Sequence, residues 1–383
     1  MRKVALIVLI LFPWFLNGQT KTNYYDKFIK FNYWNIDTSN QDIRAIADLW
    51  KKYLMNRLYG YSQKNDTAGL EFWNEEEKKL YHDPDLILET DPWLNIIQTN
   101  ILEIKPIEND FYKIMNVKAD VDSTGKYKTI AIYYILAKKT SGNFKLFSYF
   151  YLEKKKMNQK MIGNICYYYP DEYNFSEKNA LKFLNFQDSL SILFSCPVSK
   201  TLNYILDKDN SAMLSHLGYF YYSIGTAIKG GKIIKNEDMI LSSQNENHRH
   251  ELVHFFTRGK NPDVISFFDE GLATYFGGNL GNDLQWHVNF LNDYLKDKPG
   301  LDVTDENKFS YINATTTPNY VLGAIIVKYT IDNFGFQKVL ELLQYSTKKF
   351  NYKDVVEKEL GIKKTELNSF FRNYLTEHAT RTH

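Results

Sequence analysis

The chain has 383 residues, which is enough for two domains of ordinary size, and its 44% hydrophobic and 24% charged residues indicate a globular protein. Its 47 basic residues (Lys and Arg) nearly balance its 45 acidic residues (Asp and Glu). This balance argues against a dedicated nucleic-acid-binding protein, which carries a basic excess or stripe, so we expect no nucleic-acid partner.

Residues 1–18, MRKVALIVLILFPWFLNG, have the pattern of a secretory signal peptide. A basic pair, Arg2 and Lys3, precedes the apolar run Val4–Leu16, and Gly18 offers a small residue for cleavage. The run is short and interrupted by a proline, which disfavours a stable membrane span. We therefore expect an exported protein, periplasmic or secreted. The alternative is an uncleaved membrane anchor.

Two cysteines, Cys166 and Cys196, lie in the expected mature chain. Export places them in an oxidising compartment, where they form either one disulfide or two buried free thiols, and the sequence does not distinguish the two states. Their spacing is not that of a zinc site.

Residues 19–172 are predicted to form an α+β accessory domain. The segment 41–61 (QDIRAIADLWKKYLMNRLYGY) has apolar residues at helical spacing. The later segments ILEIKPIENDFYKIMNVKADV, KTIAIYYILAKKT, NFKLFSYFYLEKK and MIGNICYYY are typical of strands, and Ser141-Gly142-Asn143 marks a hairpin. A helix followed by antiparallel strands favours a curved sheet wrapping the helix. This architecture resembles the cystatin-like and nuclear transport factor-like folds.

Residues 173–383 are predicted to form the second domain of an α+β protein. A helix is expected after Ser176, in the segment SEKNALKFLNFQDSLSILF, and KTLNYILDK and GKIIKNEDMILSS are typical of strands. From about Asn245 onward the pattern is mostly helical.

The segment NHRHELVHFF contains the motif His-Glu-x-x-His at His250, Glu251 and His254. Residues four apart on a helix project from one face, so the two imidazoles can bind one metal ion. Glu251 is displaced by one residue, which keeps its carboxylate out of the coordination shell but near a metal-bound water. Zinc lowers the pKa of such a water to about 7, and Glu251 can then accept its proton as the general base.

The alternative to a zinc site is a surface helix with a chance pair of histidines. The apolar neighbours Leu252, Val253, Phe255 and Phe256 argue against it, because they are typical of a buried helix. Buried histidines and a glutamate without a partner would lose solvation free energy, and a bound zinc ion supplies that partner. We therefore expect one zinc ion per chain.

Glu270, in the segment FFDEGLATYF, is the candidate third ligand. A second helix is expected to start near Asp263, which places Glu270 two turns into it among apolar residues. An acidic side chain on an apolar face indicates a bound cation, and Gly271 permits close helix packing. The alternative is that Asp269 and Glu270 face solvent.

Other polar residues near these motifs receive lesser roles. Asp269 can hold the second nitrogen of a ligand histidine, as carboxylates behind metal ligands do, but an exposed position is the expected one for it and for Thr274. His248 lies two residues from His250 and is expected on the surface. His216 and His287 lack ligand spacing.

The motif His-Glu-x-x-His followed by Asp-Glu-Gly-x-Ala-x-Tyr resembles the gluzincin zinc metallopeptidases, which include thermolysin-like and aminopeptidase-like enzymes. The resemblance covers about residues 176–383. It implies a gluzincin-like peptidase domain that hydrolyses peptide bonds and binds zinc through His250, His254 and Glu270.

Tyr320 lies three residues before Gly323 in TTTPNYVLGAIIVKYTIDNFG, which is similar to the Tyr-x-x-Gly segment of the aminopeptidase-like enzymes. The resemblance implies that the Tyr320 hydroxyl binds the developing oxyanion. The alternative is a tyrosine of the core or of a groove.

The chain departs from these families at two places. Fifteen residues separate His254 from Glu270, which is more similar to the shorter peptidase MA-like branch. The segment SIGTAIKGGKI, residues 223–233, stands where the aminopeptidase-like enzymes have an edge strand with a substrate-binding glutamate, and it has none. A substrate peptide can still pair with this strand.

We therefore expect an exported endopeptidase that acts on peptides or proteins. The alternative is a non-catalytic module that binds a polymer or a protein.

Overall fold

The computed structural model describes residues 28–63, 68–121, 124–198, 200–223, 230–234, 238–261, 263–310, 312–313 and 316–380. Residues 1–18, the expected signal peptide, lie outside this part of the chain. The fold is mixed α+β, which confirms the predicted class at that level. The chain divides into two compact units, Met1–Glu153 with Ser215–Ile224 and Lys154–Leu214 with Gly225–His383. The domain boundary expected at residue 173 falls inside the second unit.

The first unit is built on a six-stranded sheet with the order β1-β2-β3-β4-β5, in which β9 also pairs with β4. Its strands are β1 (Ile29–Phe31), β2 (Gln98–Pro106), β3 (Phe111–Val121), β4 (Tyr127–Thr140), β5 (Asn143–Phe147) and β9 (Tyr219–Tyr222). Its helices are α1 (Gln41–Ser62), α2 (Glu75–Leu80), α3 (Leu86–Thr90) and α4 (Phe150–Glu153). The sheet is antiparallel as expected, except that β1 pairs in parallel with β2.

Helix α1 and the hairpin confirm two predictions for this unit. Asn40 caps the helix by accepting hydrogen bonds from the first backbone N–H groups. The fully buried Trp50 donates its indole N–H to Asn116 of β3 at 2.7 Å, which fastens the helix to the sheet. Ser141 and Gly142 both have positive φ, 52° and 86°, which is the backbone that a two-residue hairpin loop requires.

The second unit contains a five-stranded mixed sheet with the order β10-β11-β8-β7-β6, so β10 is an edge strand. Its strands are β6 (Asn158–Ile162), β7 (Ile165–Tyr169), β8 (Leu202–Asp207), β10 (Gly231–Ile234) and β11 (Met239–Ser243). Ser176 caps α5 (Glu177–Leu193), the helix expected there. Cys166 and Cys196 are both free thiols.

Helices make up most of the chain after β11, as the sequence predicts. They are α7 (Arg249–Lys260), α8 (Ser266–Gly277), α9 (Leu284–Lys296), α10 (Pro318–Phe334), α11 (Phe336–Leu342), α12 (Tyr352–Leu360) and α13 (Leu367–His378); α6 (Asn210–His216) precedes β9. Of the helices in the described ranges, none combines the length and the apolar character that crossing a membrane requires.

Candidate metal centre

Helix α7 carries the His-Glu-x-x-His motif and is a core helix. Leu252 and Val253 are fully buried, and His250 and His254 are only 8% and 2% exposed. The two imidazole rings lie one helical turn apart, with their centroids separated by 5.0 Å. The alternative of a surface helix with a chance pair of histidines is therefore wrong.

Helix α8 brings Glu270 to the two histidines. The helix begins at Ser266, not near Asp263 as expected, so Glu270 is its fifth residue. Its Oε2 atom lies 3.2 Å from Nε2 of His250 and 3.3 Å from Nε2 of His254. All three side chains are buried, and one ligand atom from each lies within 4.8 Å of the others. This cluster can hold a metal ion.

The second nitrogen of each imidazole is also engaged, and this determines which nitrogen faces the cluster. Nδ1 of His250 lies 2.8 Å from the carbonyl oxygen of Gly278, and Nδ1 of His254 lies 3.0 Å from Oδ1 of Asp269. Because both oxygens accept hydrogen bonds, each Nδ1 carries a proton, which leaves Nε2 as the nitrogen that a metal ion can bind. The residues therefore fit a metal ion, since both Nε2 atoms face Glu270.

Asp269 was expected on the surface, and this expectation is wrong. Its side chain is 2% exposed and stands behind His254, in the supporting role that the sequence had suggested only as the less favoured alternative. The hydroxyl of Thr257 donates a second hydrogen bond to the same carboxylate. Thr274, also expected on the surface, is fully buried.

The charges in the cluster favour a positive charge at its centre. Burial alone would lower the pKa of His254, but the carboxylates of Asp269 and Glu270 raise it to about 10. Burial would likewise raise the pKa of Glu270, but His254 and His250 hold it well below its usual range. An ionised carboxylate in a buried site is stabilised only by a cation or a protonated partner.

Glu251, the predicted general base, lies beside the edge strand β10. A Cβ atom added to Gly231 of β10 would lie 2.8 Å from Cγ of Glu251 and 2.3 Å from Cε1 of His248. A larger residue at this position would therefore force the side chains of His248 and Glu251 to move. The glycine pair in GGKI is the sequence signal for this close approach.

His248 was expected on the surface, and the structure corrects this. Its side chain is 19% exposed, and its Nε2 lies 4.0 Å from Oε1 of Glu251. Its Nδ1 lies 3.1 Å from the hydroxyl of Ser242, and its backbone N–H donates to the hydroxyl of Tyr204. Burial lowers the pKa of His248 to about 4, so the ring is neutral beside Glu251.

Helix α10 brings Tyr320 to the cluster by crossing α8 at a pair of glycines. A Cβ atom on Gly271 would lie 2.4 Å from the carbonyl carbon of Gly323, and one on Gly323 would lie 2.2 Å from the carbonyl oxygen of Phe267.

The ring of Tyr320 stacks on His250 with a centroid distance of 6.1 Å. Burial, followed by the nearby carboxylate of Glu270, raises the pKa of Tyr320 well above its usual value, so its hydroxyl is protonated.

Arg258 contacts the cluster although it was not predicted from the sequence. Its Nε donates to Oδ2 of Asp269 at 2.7 Å, and its Nη2 donates to Oε1 of Glu270 at 3.0 Å. Arg258 lies four residues after His254, on the same face of α7. That spacing is the signal that would have identified it.

The remaining histidines considered above lie outside the cluster. His287 is buried, and its two ring nitrogens lie 3.0 Å from the carbonyl oxygen of Asn279 and 3.3 Å from the hydroxyl of Thr316. In the first unit, Nδ1 of His216 lies 3.8 Å from Oε2 of Glu153. These partners account for both side chains without a metal.

Comparison with known proteins matches no protein family and no curated protein. The resemblance to gluzincin metallopeptidases therefore stays a prediction from the motif residues of the sequence.

Proposed function

We propose that this protein is a zinc-dependent metallopeptidase. The observation that carries the proposal is the convergence of Nε2 of His250, Nε2 of His254 and Oε2 of Glu270, beside the carboxylate of Glu251 on the same helix. Two imidazole nitrogens and one carboxylate oxygen form the ligand set of catalytic zinc sites, which keep a fourth position open. A purely structural zinc site has four protein ligands and no need for an adjacent glutamate.

A zinc ion bound here would supply a Lewis acid that polarises a peptide carbonyl and acidifies a water molecule. In the proposed reaction, Glu251 accepts a proton from the attacking water and later donates it to the leaving amine. The protonated hydroxyl of Tyr320 donates a hydrogen bond to the negative charge that develops on the carbonyl oxygen. Asp269 and Gly278 hold the two imidazoles in the tautomer that the site needs.

The proposed substrate is a peptide or protein in an extended conformation. Strand β10 lies at the edge of its sheet and passes directly beside Glu251 at Gly231. An extended substrate can pair its backbone with such an edge. The segment 223–233 has no acidic side chain to bind a substrate's amino terminus, which favours an endopeptidase over an aminopeptidase.

The alternative function is a non-catalytic module that binds a polymer or a protein on a peptidase scaffold. Glu251 argues against it, because a binding module has no chemical need for a buried carboxylate beside a metal site.

We further propose that the protein is exported, and this proposal rests on the sequence pattern of residues 1–18 alone.

Cleavage of a mixed library of peptides blocked at both ends tests the proposal. We expect internal cleavage by the purified protein, its loss after treatment with a zinc chelator, and its return when zinc is added back. Blocked ends make aminopeptidase activity invisible, so the result also separates the two peptidase classes. Absence of cleavage at every zinc loading would overturn the proposal and favour the binding module.

A further inference from the structure

Arg258 joins the two consecutive acidic residues of helix α8. Its guanidinium group donates from Nε to Asp269 at 2.7 Å and from Nη2 to Glu270 at 3.0 Å. The planar fork of an arginine can span two carboxylates in this way, whereas a lysine offers a single point charge. One side chain on α7 therefore sets the positions of two carboxylates on the neighbouring helix.

Arg258 binds one oxygen of each carboxylate, and the other oxygen of each faces a histidine. Asp269 uses Oδ2 for the arginine and Oδ1 for Nδ1 of His254. Glu270 uses Oε1 for the arginine, while its Oε2 lies within 3.3 Å of Nε2 of both His250 and His254. Each carboxylate thus has one oxygen held by Arg258 and one oxygen left for the histidines.

We propose that Arg258 is a positioning residue that makes Glu270 bind the cation through Oε2 alone and keeps Asp269 in place behind His254. The inference rests on the metal site of the proposed function, but not on peptide hydrolysis. A Glu270 released from Arg258 would be free to rotate and offer both oxygens, and Asp269 would lose one of the groups that orient it.

Arg258 has two opposing effects on metal affinity: its charge lowers the affinity, and its positioning of the ligands raises it. The sign of the change in affinity on substitution therefore tests the inference. A guanidinium near the site repels a divalent cation, so its removal would strengthen binding if charge were its main effect. Its side chain is 30% exposed, and solvent weakens this repulsion. Loss of a group that orients metal ligands typically weakens metal binding about 10- to 100-fold. We therefore expect the loss of positioning to dominate.

The experiment compares Arg258→Gln and Arg258→Lys with the wild-type protein. Arg249→Gln is the matched control, because Arg249 lies on the same helix but places its guanidinium over the ring of Phe186 at 5.0 Å. The zinc dissociation constant is measured by competition with a coloured chelator, and the ligand geometry by the absorption spectrum of the cobalt-loaded protein. Thermal unfolding shows that each variant is folded.

We expect both Arg258 variants to bind zinc about 10- to 100-fold more weakly, with weaker cobalt absorption bands because a second Glu270 oxygen raises the coordination number. Arg249→Gln should match the wild type in both measurements. Unchanged or tighter zinc binding in Arg258→Gln, with an unchanged cobalt spectrum, would overturn the inference.

Wild-type affinity in Arg258→Lys would also overturn it, because a positive charge alone would then suffice. If Arg258→Gln does not fold, Arg258→Lys carries the test. A wild-type protein that binds zinc without cleaving any peptide would refute the proposed function but leave this inference intact.

Discussion

His254 is held at both of its ring nitrogens by consecutive residues of helix α8. Oδ1 of Asp269 lies 3.0 Å from Nδ1, and Oε2 of Glu270 lies 3.3 Å from Nε2. Neighbouring residues on a helix point about 100° apart, so two adjacent carboxylates can reach opposite edges of one imidazole. The imidazole therefore has a fixed orientation before any metal ion arrives, which reduces the free energy needed to organise the site.

Replacing Glu251 by glutamine is expected to lower the rate of peptide cleavage strongly without removing the metal. Glutamine has nearly the same shape but cannot accept a proton, and loss of a general base lowers the rate by about 10²- to 10⁴-fold. Peptide cleavage and zinc content are measured on the same sample. Glu177→Gln, the same change at an exposed residue paired with Lys160, should leave both unchanged. Wild-type cleavage rates in Glu251→Gln would refute the assigned mechanism.

Removing the hydroxyl of Tyr320 is expected to lower kcat with little change in KM. The hydroxyl is proposed to stabilise charge that exists only in the transition state, and loss of one such donor costs about 10²- to 10³-fold in kcat. Steady-state kinetics of Tyr320→Phe provide the measurement. Tyr329→Phe, on the same helix but with its ring against Phe370, is the control. A change confined to KM would indicate that Tyr320 only binds substrate.

Alanine at Gly271 or Gly323 is expected to destabilise the second unit. The added Cβ would lie 2.4 Å or less from backbone atoms of the neighbouring helix, so α8 and α10 would have to separate. Such overpacking costs about 1–3 kcal/mol, which exceeds the roughly 0.5–1 kcal/mol that alanine gains over glycine inside a helix. Urea unfolding measures the difference. Gly300→Ala, where the added atom meets nothing within 4 Å, is the control.

The same glycine substitutions should also lower activity, since the crossing places Tyr320 against His250. A Gly271→Ala protein with wild-type stability would show that the helices do not pack as closely as described.

The stability of the first unit is expected to depend on pH through the buried Lys118. Burial lowers the pKa of Lys118 to about 7, although Asp85 partly offsets this effect. The unfolded chain keeps the lysine proton up to about pH 10.4, so between these values the unfolded state binds more protons and stability rises with pH. Lys118→Met removes this dependence.

At pH 7 the Lys118→Met variant should therefore be more stable than the wild type. The difference in free energy of unfolding between the variant and the wild type should shrink toward pH 10 by up to about 1.4 kcal/mol per pH unit. Urea unfolding of both proteins across this range measures the change, with the exposed Lys79→Met as control. A constant difference between the variant and the wild type would contradict the burial of a neutral lysine.

The residues of the candidate metal cluster were readable from sequence because a single helix carries most of the information. The four-residue spacing of His250 and His254 defines one helix face, and an acidic residue among apolar neighbours indicated Glu270. Most strands of both sheets and helices α1 and α5 followed from local periodicity and capping in the same way. The short strands β1 and β9 were not predicted, and Phe150–Glu153, inside a segment typical of strands, is the helix α4.

The burial of Asp269 and His248 was missed because periodicity within one helix does not show what packs on its other faces. Every residue from Phe267 to Thr274 is buried, because α8 packs against both α7 and α10. The start of α8 was also misplaced, because Ile265 at its N-cap makes no side-chain capping bond and leaves no signature to read.

The proposed site requires that His250, His254 and Glu270 bind one cation together. Anomalous diffraction at the zinc absorption edge, from crystals of the zinc-loaded protein, locates that cation. We expect one strong peak about 2.0–2.2 Å from Nε2 of both histidines and from an oxygen of Glu270, absent in His254→Ala and retained in His378→Gln. A zinc peak elsewhere, or Glu270 turned away from the two imidazoles, would contradict it.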